Sequence, residues 1–166
     1  MVKAIFIILF IFLINSCSSQ NQNINDELTM NWVVSNKLLR EQILFYIDSV
    51  NTPDIEDKFP LISLKFMGDT SIYTIGYCIN IFTLTYCTPH LAFDINGNFV
   101  CLSIENSYDF SLSNESLIGI MKIHFPDQYE YYKKYGDYPP AITAREILWV
   151  LTFKGDQLIK KEVIRN

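Results

Sequence analysis

Apolar positions in this chain of 166 residues change their spacing from segment to segment, and each spacing predicts a different element. Across residues 26–50, Trp32, Leu39, Ile43, Tyr46, Ile47 and Val50 recur at helical intervals, which predicts a long first helix with its clearer stripe in the second half. Asn51-Thr52-Pro53 ends it, because the residue before a proline is pushed out of the α region. The spacing then drops to two. Residues 61–67 (LISLKFM) and 71–79 (SIYTIGYCI) flank Gly68-Asp69 and read as a hairpin. Residues 81–87 (IFTLTYC) share that β-branched and aromatic makeup and read as another strand.

Thr88-Pro89 interrupts the pattern, and residues 90–94 run into Asp94-Ile95-Asn96-Gly97-Asn98, the strongest turn signal in the chain, before 99–105 return. Two registers are open. A three-residue loop with Gly97 left-handed opposes Phe93 to Phe99, whereas a two-residue turn at Asn96-Gly97 pairs Phe93 with Val100. Ser113 can cap a second helix that runs through His124 and buries Leu117, Ile120 and Met121, and Pro126 starts a further helical turn or two. After the loop GDYPP, residues 146–153 (EILWVLTF) are so continuously apolar that a central strand covered on both faces is expected. Lys154-Gly155-Asp156 turns the chain, and residues 158–164 return with Lys160, Lys161 and Glu162, charges suited to an edge strand.

The fold class expected is α+β: an N-terminal helix packed on a curved antiparallel sheet of about six or seven strands, with a second helical region before the last two strands. Cystatin-like and NTF2-like cones share that outline by analogy of element order alone, since no motif in residues 26–166 identifies a family. No internal repeat is visible.

The first residues follow a different logic. Lys3 precedes an uncharged apolar run at residues 4–14, and small Ser16 and then Cys17 follow. Such a run is too short to cross a bilayer, which takes about 20 apolar residues, and the layout is that of a cleaved signal peptide. Leu13-Ile14-Asn15-Ser16-Cys17 resembles the lipobox of bacterial lipoproteins, with Asn15 and Ile14 departing from the commonest residues at their positions. An ordinary secretory signal would end in small residues of the A-x-A kind, and none stands here.

The resemblance implies cleavage before Cys17, which becomes the acylated first residue and the membrane anchor. Two or three acyl chains hold a protein on a bilayer, where one is marginal. Residues 1–16 are then the signal peptide, 17–25 the lipidated cysteine and a polar, uncharged tether (SSQNQNIN at 18–25), and 26–166 one α+β domain. By the sorting habit of such lipoproteins, the lack of aspartate at position 18 favours the outer membrane, with the domain in the periplasm or on the cell surface.

Charge narrows the partners. Beyond residue 16 the chain keeps 12 basic against 18 acidic side chains, a net charge of −6 that argues against nucleic acid and against electrostatic attachment to anionic lipid. With Cys17 acylated, Cys78, Cys87 and Cys101 remain, so at most one disulfide forms within the chain; Cys78 and Cys87 could face each other on paired strands. Small apolar core residues are the plainer expectation for these cysteines.

Candidate chemistry is sparse. Only His90 and His124 are present. Cys87-Thr88-Pro89-His90 is a C-x-x-H that could join Cys78 and Cys101 as a metal shell, but structural zinc sites gather ligands as two close pairs and this chain has one. A Cys87–His90 nucleophile pair lacks any sign of an orienting third group. Asp54, Glu56 and Asp57 read as a solvated charge run. No phosphate loop, nucleophile elbow or metalloprotease motif occurs, and nothing calls for a cofactor.

QYEYYKKYGDYPP gathers Tyr129, Tyr131, Tyr132, Tyr135 and Tyr138 beside Lys133 and Lys134. Helical spacing explains Tyr129, Tyr132 and Tyr135 as packing residues. Tyr131 and Tyr138, with Lys133 and Lys134, are then the candidate binding surface, since tyrosine joins an apolar ring to a polar tip. The function expected is a small non-enzymatic envelope lipoprotein that binds a protein or glycan, with an immunity protein neutralising a periplasmic toxin as a specific version. The alternatives are a hydrolase or metal-dependent enzyme centred on Cys87 and His90, and a structural component of an envelope assembly.

Overall fold

The computed structural model describes residues 35–50, 58–87, 89–105, 112–139 and 147–165. Cys17, the tether, Trp32, Asn51-Thr52-Pro53 and the Asp54, Glu56 and Asp57 run lie outside them. The chain divides at residue 36, and the second unit, Lys37–Asn166, holds every element that follows. In order these are α1 (Lys37–Ser49), β1 (Phe59–Met67), β2 (Thr70–Cys78), α2 (Ile81–Cys87), β3 (Leu91–Ile95), β4 (Asn98–Ile104), α3 (Asn114–His124), α4 (Pro126–Tyr135), β5 (Ile147–Lys154) and β6 (Gln157–Arg165).

The strands form one mixed sheet in the order β3-β4-β1-β2-β5-β6. The class is α+β as expected, with the first helix packed on the sheet and a helical region before the last two strands. One pairing departs from the antiparallel expectation: β4 runs parallel to β1, with Leu61 opposite Cys101 and Leu64 opposite Ile104. The hairpin β3–β4 is carried past β1 by the segment containing α2 and joins β1 on the side away from β2. Strand composition does not encode which neighbour each strand chooses.

Two-residue turns set the hairpin registers. Asn96 (φ 53°) and Gly97 (φ 83°) are both left-handed, Asp94 Oδ1 accepts from Gly97 N–H at 2.8 Å, and Phe93 pairs with Val100. This selects the two-residue alternative, the primed turn that asparagine-glycine favours. Gly68-Asp69 and Gly155-Asp156 close the other hairpins between Met67 and Thr70 and between Lys154 and Gln157.

The sheet carries helices on both faces. On one, Tyr46 of α1 packs edge-on against Trp149 at 5.4 Å and donates its hydroxyl to the Ile147 carbonyl at 2.8 Å. Leu39 and Ile43 of α1 are fully buried, as are Tyr73, Ile75, Leu151 and Phe153, which the strand registers set on the same face as Trp149. On the other face, α2, α3 and α4 cover Phe59, Cys78 and Cys101 with Ile81, Leu84, Ile120, Met121 and Phe125. His124 stacks on Phe99 at 4.2 Å within this second core.

Residues 81–87 form a helix, not the strand their composition suggests. Buried Asn80 caps it, its Oδ1 accepting from the Thr83 N–H at 2.7 Å and the Thr83 hydroxyl at 2.9 Å. Thr85 returns its hydroxyl to the Ile81 and Phe82 carbonyls, and Ile81 and Leu84 bury one face. Capping and tertiary burial thus outweigh a β propensity worth only about 1 kcal/mol across its whole scale. Ser113 caps α3 through Ser116 N–H at 3.2 Å, and Pro126 opens α4, both as expected. Leu117 is half-buried at the rim of the core beside buried Ile120 and Met121.

Candidate functional site

The helical face carries a seam of aromatic rings between α2 and α4. On α2, inward Ile81 and Leu84 leave Phe82 and Tyr86 pointing out, 51% and 79% exposed, with ring centroids 6.0 Å apart and planes 18° apart. Gly136 ends α4 in the left-handed conformation (φ 70°) and donates its N–H to the Tyr132 carbonyl. That reversal returns Tyr138 to the helix, where it stacks on Tyr132 at 5.1 Å and meets Phe82 edge-on at 6.1 Å. Tyr131 and Tyr135, 39% and 58% exposed, sit one turn apart on α4 with their rings at 4.6 Å.

A single side chain locks the two helices. Gln128 on α4 accepts from the Ile81 N–H at 3.0 Å and donates to the Ile79 carbonyl at 3.3 Å, meeting one backbone donor at the start of α2. The rings therefore stand on braced helices even though both are short.

The tyrosines divide differently from the helical-spacing argument. Tyr129 packs against the core, as expected, and Tyr138 also packs against it while lying in the ring chain. Tyr135, expected in the packing, is exposed and pairs with Tyr131. Lys134 lies over the Tyr135 ring at 4.9 Å, and Lys133 pairs with Glu130 at 2.8 Å while resting over Tyr129. A strand over residues 81–87 would put Phe82 and Tyr86 on one face but about 13 Å apart, with no reason to group them; the helix that Asn80 caps brings them one turn apart with their rings in contact.

The seam is apolar on its ring faces and polar at its hydroxyl tips.

His90 and Cys87 are both tied to β4. His90 is buried, its Nδ1 accepts from the Ile104 N–H at 3.1 Å and its backbone N–H donates to Leu102, so the ring ties the end of the α2 loop to β4. The Cys87 carbonyl accepts the Ser103 hydroxyl. Cys78 reaches the Asn80 carbonyl at 3.5 Å, and burial pushes the Cys101 thiol up to about 12, away from the thiolate that a ligand or nucleophile needs. Cys87 ends a helix, so it does not face Cys78 across paired strands, and all three cysteines are thiols. Among the described residues, no three His, Cys, Asp or Glu side chains converge to hold a metal. No protein family, characterised protein or solved structure matches this chain.

Proposed function

We propose that this chain is a non-enzymatic, lipid-anchored binding module of the cell envelope, held at a membrane through Cys17, with the outer membrane favoured. It presents the aromatic seam of α2 and α4 to a protein or glycan ligand. The observation that carries the reading is the exposure of Phe82, Tyr86, Tyr131 and Tyr135 on two helices braced by Gln128. Large rings held rigidly lose little side-chain entropy on binding and supply most of the apolar contact at interfaces. Covering half of one ring's surface contributes about 2 kcal/mol before the cost of association.

The experiment is capture from detergent-solubilised envelopes by the full chain and by the double variant Phe82→Ala, Tyr86→Ala. The reading expects ligands retained by the parent and weakened on the order of 10–100-fold in the variant. Equal capture by both, or none by either, would count against it.

A further inference from the structure

β6 is nine residues long, is the last strand of the sheet, and is exposed along almost its whole length. Edges of this kind recruit another strand unless blunted. Its exposed residues include Ile159, Val163 and Ile164, at 55%, 48% and 43% exposure, an unusual apolar load for an edge that meets only water. The strand also carries Lys160, Lys161 and Glu162, with Lys160 and Glu162 on one face and bonded to each other at 2.9 Å.

We infer that β6 pairs antiparallel with β6 of a second copy of this chain, about a two-fold axis through Lys161. In that register Lys160 of each copy stands opposite Glu162 of the other, so two cross-strand ion pairs replace the two within the strands. Ile159 then faces Val163 of the other copy.

Moving the axis to residue 160 sets Lys160 against itself, and moving it to 162 sets Glu162 against itself; like charges directly opposite repel. The charge pattern thus disfavours the two neighbouring registers in which the sheet faces stay continuous. Lys161 would be the repulsive centre, but its ammonium is drawn onto its own domain: Nζ lies 3.3 Å from the Trp149 ring centroid and donates to Gln42 Oε1 at 3.1 Å. Lys161 also packs over Phe45.

The bulge at Ile159, between the Lys160–Thr152 and Leu158–Phe153 pairs, interrupts the regular ladder. The contact is therefore short, weak and reversible in solution, and stronger where copies are concentrated. An axis perpendicular to the sheet leaves its faces continuous, so both copies carry α2–α4 on the same side and offer two seams to one ligand surface. The pairing itself stands independently of what the seam binds.

Sedimentation equilibrium of the full chain in density-matched detergent, from micromolar to several hundred micromolar, tests it. The parent should follow a reversible monomer–dimer equilibrium. Glu162→Lys should weaken it at least ten-fold, and Lys160→Glu with Glu162→Lys should restore it, because the swap rebuilds the complementary pairs. Circular dichroism of the variants checks that each stays folded. A parent that stays monomeric throughout, a folded Glu162→Lys that dimerises like the parent, or a folded double variant that stays as weak as the single one overturns the inference.

Discussion

The Gln128 side chain accepts a hydrogen bond from the Ile81 N–H at 3.0 Å, and this contact fixes α4 against the start of α2. The Phe82–Tyr138 contact that joins the two halves of the seam depends on that placement.

Gln128→Leu leaves the Ile81 N–H and Ile79 carbonyl without their side-chain partner and should cost about 1–3 kcal/mol in denaturant unfolding. Asn80→Ala should cost about 1–2 kcal/mol, since it removes the cap on Thr83. Asn80→Asp keeps an acceptor and should cost less than half of that. If both Asn80 variants unfold at the same denaturant concentration as the parent, the capping account of α2 is wrong.

These two residues also show what the sequence made legible. Apolar spacing located α1, the hairpins and α3, and the charges of residues 160–162 marked β6 as an edge, because each signal is local. The segment Ile81–Cys87 was misread because its β-branched residues speak for a strand, while Asn80 in front of an Ile81, Leu84 spacing speaks for a capped helix. The signal was present but outweighed. The parallel β1–β4 pairing left no local trace, and neither did the chain reversal at Gly136 that returns Tyr138 to Tyr132. The half of the seam on α2 was hidden for the same reason that the helix was.

Alkaline stability should follow the buried acids. The Cys101 thiol is pushed up to about 12 by burial, against an ordinary value of 9.0, so unfolded chains ionise it first. Its contribution is complete below pH 9 and is lost as pH rises from 9 to 12, on the order of 2 kcal/mol by pH 11. Burial also raises Tyr73 and Tyr77, the latter aided by the Asp48 carboxylate, which steepens the same decline. Chemical denaturation at pH 8, 9.5 and 11 should show the fall. Cys101→Ala should lower stability at pH 8 and flatten the slope above pH 9; an unchanged slope would contradict the assignment.

The proposed anchor makes a separate prediction. Cells fed a labelled fatty acid should label the full chain, and Cys17→Ala should abolish the label and release the domain from membranes. Label persisting in that variant would rule out Cys17 as the acylated residue.

The central claim, that the seam is where the ligand binds, is tested most directly by ring-labelled tyrosine NMR of the full chain titrated with material eluted from the capture experiment. Tyr86, Tyr131, Tyr132, Tyr135 and Tyr138 should shift together and saturably, while Tyr46 and Tyr73, buried under the opposite face, hold their positions. Saturable shifts confined to other tyrosines, with the seam resonances unmoved, would contradict it.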